Sequence, residues 1–285
     1  MAEVIRYIEY EDVCHLVERL FLEANINLPE DVLASIEEAH LNETHPVAHH
    51  VLGKLVENAQ IARETHLPIC QDTGVACVWV EMGQAVHIKG GNLEKAIQEG
   101  VRSAYLKGSF RCSVVRDPLF DRQNTNDNTP AFVHVRIVEG DRLHIVCMPK
   151  GFGSENMSAL KMFSPSSTKE DIVAFVKDAV VSAAGKPCPP LVLGIGIGGT
   201  FDTVAGLAKE ALLVPINTPH GNPSYAMLED EIKCEINKTG IGAQGFGGDT
   251  TVLSVKIKTA PTHIAGLPVA VCFGCHACRK AEGTI

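Results

Sequence analysis

The stretch Leu67-Pro-Ile-Cys-Gln-Asp-Thr-Gly74, followed by the apolar run Val75–Val80, separates a helical sequence pattern upstream from a pattern of strands and helices downstream. The proline near its start stops a preceding helix, and the glycine at its end permits a tight turn. The apolar run after the turn is typical of a buried strand. The turn also places Cys70 two residues before Asp72. Since a thiolate ligates soft metals and a carboxylate beside a metal does acid–base chemistry, the stretch suggests a metal-assisted site.

Upstream of this turn the sequence has a helical pattern. Tyr10–Ala24 repeats apolar residues with a period of about 3.6, which predicts an amphipathic helix. Pro29 and Pro46 each open a further helix, and the third is expected to run to about Glu64. Downstream, helices are predicted at 92–106, from the capping box Ser167–Glu170 to about 184, at 201–213 and at 224–237, and strands at 191–195, 252–257 and 268–273.

Two more apolar segments, Phe132–Val138 and Leu143–Met148, flank the turn Glu139–Arg142 and predict a β-hairpin. Gly108–Pro130 is polar and irregular, as functional or mobile loops are. The sequence contains no repeat and no low-complexity linker. We therefore expect a single domain over residues 1–285, of the α/β class: a helical N-terminal region followed by a mixed, partly antiparallel sheet flanked by helices.

Charge and hydropathy exclude two classes of partner. The net charge is −9, whereas a nucleic-acid surface needs clustered Lys and Arg. No window of about 18 residues is continuously apolar, so no membrane span is expected. The N-terminus lacks the basic and then apolar pattern of a signal peptide. These features predict a cytoplasmic protein that binds neither nucleic acid nor membrane.

Ten cysteines are many for a chain of 285 residues without a secretion signal, and a disulfide framework is not expected. The run Cys272-x2-Cys275-x2-Cys278 by itself suggests a ferredoxin-type or zinc site, although Cys272 in a strand could simply be core. A second set, Cys70, Cys188 and Cys275, lies beside turns. Three thiolates can hold a [4Fe–4S] cluster and leave its fourth iron open as a Lewis acid. The residues alone leave both sets open.

Gly194-Ile-Gly-Ile-Gly-Gly199 matches a dinucleotide-binding pattern and lies between a predicted strand and a predicted helix. The nucleotide interpretation requires an acidic residue about 20 positions later, and positions 214–219 contain none. Tight packing of the strand against the helix is the favoured explanation. Backbone N–H groups of such a segment could also bind a carboxylate.

Taken together, the motifs resemble the α subunit, or N-terminal half, of class I iron–sulfur fumarases and of the related L-tartrate dehydratase. The resemblance runs from about Val47 to Arg279, and the order and spacing of its motifs agree with the family. In the loop after Lys150, Phe152 stands where the family usually has the middle one of three glycines. The matching motifs are Leu67–Gly74, Ser109–Arg111 with Asn128–Ala131, Pro149–Asn156, Cys188–Pro190, Gly196–Thr200 and Gly242–Gly248.

The resemblance implies a role for particular residues. It implies that Cys70, Cys188 and Cys275 ligate a [4Fe–4S] cluster, the last being matched through the following Ala277 and Arg279. It implies that a small dicarboxylate is bound with the help of Gln71, Arg111 and Gly153.

The implied reaction is the reversible hydration of fumarate to malate, a step of the tricarboxylic acid cycle, with a labile cluster iron as Lewis acid. Asp72 is expected to exchange a proton with the substrate hydroxyl, supported by His263. The remaining groups lie in the family's C-terminal domain. We therefore expect a β subunit, in a heterodimer or heterotetramer. Alternatives are L-tartrate dehydration to oxaloacetate, mesaconate as substrate, and an iron–sulfur sensor or scaffold without catalysis.

Overall fold

The computed structural model describes residues 5–285, and the chain divides into two compact units. The first unit comprises the described residues up to Pro29 together with Ile61–Phe152 and Arg279–Ile285. The second comprises Glu30–Gln60 and Gly153–Cys278. The expectation of one domain over residues 1–285 stays a prediction, because compactness alone does not show that the units fold independently.

The first unit contains two sheets and two long helices. The elements are β1 (Arg6–Glu9), α1 (Tyr10–Ile26), β2 (Val75–Gly83), β3 (Val86–Lys89), α4 (Leu93–Lys107), β4 (Phe132–Val138), β5 (Leu143–Lys150) and β10 (Ala281–Thr284). A four-stranded sheet has the order β10-β5-β2-β4, in which β2 and β4 are parallel and the other neighbours antiparallel. A parallel pair, β1 with β3, forms the second sheet.

Helices α1 and α4 pack on one another, and α1 also packs on β5. Their apolar faces repeat at helical spacing, so one stripe of each helix is buried. The core of this unit includes Leu20, Phe21, Val101, Tyr105 and Ile145, all fully or almost fully buried. The predicted helix at Tyr10–Ala24 and the strand that begins at Val75 are therefore confirmed.

The predicted hairpin of β4 and β5 is wrong. Both strands exist, but β2 lies between them, pairing in parallel with β4 and antiparallel with β5. The turn signal at Glu139–Arg142 correctly marks a chain reversal. It cannot indicate which strand fills the space between the two that it connects, because that strand comes from about 50 residues earlier in the sequence.

The elements of the second unit are α2 (Glu30–Asn42), α3 (Pro46–Thr65, continuing past Gln60), α5 (Phe152–Glu155, whose first residue belongs to the first unit), β6 (Ala159–Phe163), α6 (Lys169–Ala183), β7 (Leu191–Gly199), α7 (Phe201–Ala211), α8 (Pro223–Asn237), the 3-10 turn η1 (Ala243–Gly245), β8 (Val252–Thr262) and β9 (Leu267–Gly274). Its four-stranded sheet has the order β6-β9-β7-β8, with β7 and β8 parallel and the other pairs antiparallel. Helices α6 and α8 pack together, and α7 packs on β7. The mixed, partly antiparallel α/β class is confirmed.

The glycine-rich segment is a strand and not a phosphate-binding loop. A Cβ added to Gly194 would lie 2.1 Å from the Ala208 carbonyl oxygen, and one added to Gly196 would lie 2.3 Å from that of Val204. Both carbonyls belong to α7. The glycines thus let α7 approach the sheet closely, in agreement with the packing explanation.

The predicted capping box at the start of α6 is present but is shifted by one residue. Thr168 is the N-cap of α6, and its partner in the capping box is Asp171, one residue later than predicted on each side. Within the described residues 5–285, no helix is both long and apolar enough to cross a bilayer.

Candidate active site

The turn that carries Cys70 and Asp72 is anchored just before it begins. Ile69 is buried, and its N–H donates to the carbonyl of Asn25 at 2.9 Å. Cys70 is half-buried and Gln71 exposed, with 3.5 Å between the Cys70 Sγ and the Gln71 Oε1. The anchored backbone therefore presents a thiol and an amide side chain towards the surface of the first unit.

The Asp72 side chain is half-buried, and hydrogen bonds hold both carboxylate oxygens. Oδ1 accepts the N–H of Gly74 at 3.0 Å, and Oδ2 accepts the N–H of Phe152 at 2.9 Å. The Asp72 carbonyl accepts from the Arg279 Nη2 at 2.6 Å. Since the Phe152 donor is a backbone N–H, the phenylalanine at this family-divergent position does not remove the contact. Asp72 is thus fixed at its backbone and at its carboxylate.

The rest of the turn rests on buried polar side chains. The Tyr105 hydroxyl donates to the carbonyl of Thr73 at 2.7 Å, and the Asn128 Nδ2 donates to that of Gly74 at 3.0 Å. Burial raises the pKa of Tyr105, so it remains a neutral donor. The Thr73 hydroxyl donates to the carbonyl of Arg111 at 2.8 Å, while the Arg111 side chain is exposed. The structure therefore ties the Asp72 turn to the segment that carries Arg111.

Gly74 closes the turn with a φ of +70°. A Cβ at this position would lie 2.5 Å from the carbonyl carbon of Lys150, on β5. Glycine is therefore required both by the backbone conformation and by the close approach of the strand.

In the second unit, the turn of Cys188 lies beside the segment that carries Cys275. Cys188 is half-buried with a φ of +57°, and its carbonyl accepts the N–H of His276 at 3.2 Å. The His276 Nδ1 is also 3.2 Å from that carbonyl oxygen. Gln244, in the motif Gly242–Gly248, donates from Nε2 to the Pro189 carbonyl at 2.7 Å. Two of the three predicted ligands thus come from neighbouring backbone segments.

The other two predicted residues of this unit differ in their surroundings. Gly153 is exposed, and a Cβ there would be 3.7 Å from the Lys186 carbonyl oxygen, next to the Cys188 turn. His263 is exposed in the turn after β8, where its Nδ1 accepts the N–H of Ala265 at 3.1 Å. The structure therefore places Gly153 near a predicted ligand, whereas the contacts of His263 with the rest of the described chain are local.

The remaining cysteines separate by burial. Cys77 and Cys147 are buried in strands, and burial raises the pKa of the Cys147 thiol well above its ordinary value. Cys272 is 3 % exposed on β9, and its Sγ is 3.8 Å from the Glu155 Oε2. Because Cys272 is a core thiol while Cys275 and Cys278 are half-buried, the Cys-x2-Cys-x2-Cys run does not present three equivalent donors.

The donor chemistry of the predicted ligand set fits an iron–sulfur cluster. Cys70, Cys188 and Cys275 are all half-buried and all lie at turns, where thiols stay accessible to a soft metal. Across residues 5–285, however, no three His, Cys, Asp or Glu side chains form an arrangement ready to hold a metal ion. The ligand set stays a prediction.

Sequence reasoning missed the residues that hold the two turns. Tyr105 has no signal in the sequence, and Arg279 had one only as a residue that matches the family after Cys275; the contact of each with the Asp72 turn comes from a distant position. Asn128 and Gln244 do have a signal in the sequence, because each is a polar residue inside a motif of the family resemblance. The structure shows that both also have a positive φ.

The fold and the site define a mixed α/β protein that presents a thiol and a fixed carboxylate on one turn. The chain belongs to the fumarate hydratase (Fumerase) family, whose model matches residues 14–284. It is therefore a hydro-lyase, which confirms the family resemblance and the enzyme class and leaves the sensor or scaffold alternative without support.

Three similar proteins carry related names. The "Putative L(+)-tartrate dehydratase subunit alpha" of Methanocaldococcus jannaschii is 44% identical over 276 residues, covering 94% of this chain and 96% of the relative. The L(+)-tartrate dehydratase subunit alpha of Escherichia coli (strain K12) is 32% identical over 257 residues, covering 89% and 84%. The protein of the same name from Shigella sonnei (strain Ss046) gives the same values.

Proposed function

We propose that this chain is the α subunit of an iron–sulfur hydro-lyase that adds water to, or removes it from, a four-carbon dicarboxylate. The first substrate pair to consider is fumarate and malate, as in the tricarboxylic acid cycle, in a cytoplasmic enzyme. The observation that carries the proposal is the Asp72 carboxylate, held by two backbone N–H groups two residues from a half-buried thiol. Family membership adds independent support.

The cofactor in this proposal is a [4Fe–4S] cluster, since the family generally depends on iron and sulfur. Cys70, Cys188 and Cys275 would hold it. When bound, the cluster supplies a Lewis-acidic iron without a protein ligand, which favours cleavage of a carbon–oxygen bond.

In this proposal the chain's own residues orient the substrate and move one proton. Malate gives fumarate and water: the C2–O bond breaks, and the proton at C3 leaves to a base. Asp72 gives a proton to the departing hydroxyl, or takes one from water in the reverse direction, with support from His263. Arg111, exposed and planar, can grip a carboxylate with two parallel hydrogen bonds. Gln71 and Gly153 complete this chain's share of the substrate contacts.

A β subunit is part of the proposal, because the relatives are named as α subunits. It would supply the base for the C3 proton and further groups for the carboxylates. The assembly would be a heterodimer or heterotetramer.

L(+)-Tartrate is the second candidate substrate, and the names of the relatives favour it. Its dehydration gives the enol of oxaloacetate and water. Tartrate differs from malate by one hydroxyl, at the carbon that loses the proton. The substrates are separated by measuring turnover of fumarate, malate, L(+)-tartrate and mesaconate with the enzyme reconstituted anaerobically from both subunits. Failure on all four substrates would exclude the proposed activity.

The ligand assignment has its own experiment. The visible absorbance of the reconstituted cluster should be abolished by each of three substitutions, Cys70→Ser, Cys188→Ser and Cys275→Ser, because each removes one of the three protein ligands of the cluster. The matched control is Cys77→Ser, since that thiol is buried in β2. Iron and sulfide content give the second readout. If Cys272→Ser or Cys278→Ser removes the cluster while Cys188→Ser does not, the Cys-x2-Cys-x2-Cys run is the binding site.

A further inference from the structure

The Arg279 guanidinium is buried in the first unit, only 3 % of the residue being exposed. Its Nη2 donates to the Asp72 carbonyl at 2.6 Å, whereas its Nε has no hydrogen-bond partner among the described residues. Burying a guanidinium is unfavourable unless it is hydrogen-bonded. The hydrogen bond to the Asp72 carbonyl therefore offsets part of the unfavourable burial of the guanidinium. Its acceptor belongs to the residue that is proposed to move the proton.

The hydrogen bonds around Asp72 divide by what they hold. The N–H groups of Gly74 and Phe152 donate to the two oxygens of the carboxylate. Tyr105 and Asn128 hold the next two carbonyls with neutral donors. Arg279 holds the carbonyl of Asp72 itself. Without that donor the peptide plane after Asp72 could rotate, and the carboxylate would lose the geometry in which both N–H groups reach it.

We propose that Arg279 is a positioning residue of the reaction: by holding the Asp72 carbonyl it fixes the direction of the Asp72 carboxylate and of the Cys70–Thr73 backbone. This inference rests on the proposed function, in which Asp72 exchanges the proton. Because Arg279 is almost fully buried and donates to a backbone carbonyl, it should act on the chemical step and hardly on substrate binding.

The alternative is that Arg279 only stabilises the fold. The residue comes just before β10, so its loss could also loosen that edge strand. The two roles differ in what they disturb. A positioning role affects the N–H groups of Gly74 and Phe152, which donate to Asp72. A structural role affects the whole first unit.

The test uses the reconstituted two-subunit enzyme with Arg279→Met and Arg279→Lys. Met keeps the apolar stem and removes the donor, whereas Lys keeps a charged donor of similar reach. We expect Arg279→Met to lower kcat about 10- to 100-fold, since displacements of about 1 Å can have such effects, and to change KM less than about threefold. Arg279→Lys should recover at least part of the loss.

Hydrogen exchange of the α subunit, with and without its cluster, provides the readout that is independent of activity. In Arg279→Met the N–H groups of Gly74 and Phe152 should exchange at least about tenfold faster, while those in the centre of β5 keep their rates. Unchanged exchange at both positions together with unchanged kcat would overturn the inference. So would faster exchange throughout the unit with kcat falling only in line with the unfolded fraction. If the Met variant does not fold, the same criteria are applied to Arg279→Gln, which is shorter and lacks the charged donor.

Measuring Asp72→Asn beside these variants distinguishes a failure of the Arg279 positioning role from a failure of the proposed proton exchange by Asp72. An active Asp72→Asn enzyme rejects the proposed proton exchange, whatever Arg279 does to hydrogen exchange. An inactive Asp72→Asn enzyme with a normal Arg279→Met enzyme rejects the positioning role alone.

Discussion

Asp72 and His263 were predicted to share one step, and the structure gives them contrasting surroundings. Asp72 is half-buried, with contacts from Phe152 and Arg279, which lie 80 and 207 positions away in the sequence. His263 is exposed, and its contacts are with Ala265 and Gly266 in its own turn. One residue is held by the tertiary fold and the other by a local turn.

The difference matters because a catalytic group acts best when its orientation is fixed before the substrate arrives. Asp72 satisfies that condition in the first unit as it stands. Among the described residues 5–285, the His263 ring has one hydrogen bond, through Nδ1, and it lies in an exposed turn. Within the proposed function, the comparison therefore favours Asp72 as the proton-exchanging group of this chain, with His263 in support.

The largest expected effect comes from Asp72→Asn. We expect kcat to fall about 10²- to 10⁴-fold, the usual range for a lost general acid or base. The asparagine oxygen can still accept from Gly74, but its NH₂ group cannot accept from Phe152. Steady-state turnover on the reconstituted enzyme measures the effect.

Cluster content is the control for that experiment, because a disturbed turn could also displace Cys70. Iron and sulfide per chain should stay close to the parent value. A variant that keeps kcat within tenfold of the parent, or loses activity only in proportion to its cluster, would reduce Asp72 to a structural residue of the turn.

The next largest expected effect comes from Asn128, which supports the turn that carries Asp72, and it concerns the free energy of unfolding. Asn128 is fully buried with a φ of +58°, donates to the Gly74 carbonyl and accepts the N–H of Ser113 at 2.7 Å. Asn128→Ala leaves both backbone groups without this partner and places alanine in the left-handed region. We expect a loss of about 3 kcal/mol in the free energy of unfolding, of which about 1 kcal/mol comes from the backbone conformation.

Asn126→Ala is the matched control, because Asn126 lies in the same loop with a φ of +64° but is exposed. It should lose only the backbone part, about 1 kcal/mol. Trp79, the single tryptophan of the chain, lies on β2 in the first unit, so its fluorescence during urea unfolding follows the relevant unit. Equal losses in both variants would show that the Asn128 hydrogen bonds contribute nothing.

The same contrast explains how far the sequence could lead. The helices at Tyr10–Ile26 and Pro46–Thr65 follow from apolar periodicity and helix-start residues, which are local signals. The pairing of β2 with both β4 and β5 is a contact between distant segments, so a local turn signal at Glu139–Arg142 led to the wrong partner.

The site divides in the same way. The residue types on the Cys70–Asp72 turn already suggested a metal-assisted site, because thiol and carboxylate chemistry can be read directly from sequence. The hydrogen bonds from Tyr105, Asn128 and Arg279 could not be read, since each depends on where the chain returns in three dimensions. The chemical type of a site residue can be read from one sequence, whereas the distant side chains that orient it cannot.

The smallest expected effect concerns His263, and two substitutions separate its possible roles. His263→Asn keeps an oxygen that can accept the N–H of Ala265, as asparagine does in such turns, but removes the titratable ring. His263→Ala removes both the acceptor and the ring. If the ring supports proton transfer at Asp72, both variants should lower kcat/KM by a similar factor of about 10, at the lower limit for acid–base groups. If the histidine only shapes its turn, the Asn variant should match the parent enzyme and the Ala variant alone should lose activity. Measurement of kcat/KM for the parent enzyme and the two variants decides between these results, because only a catalytic role of the ring makes both variants lose the same activity.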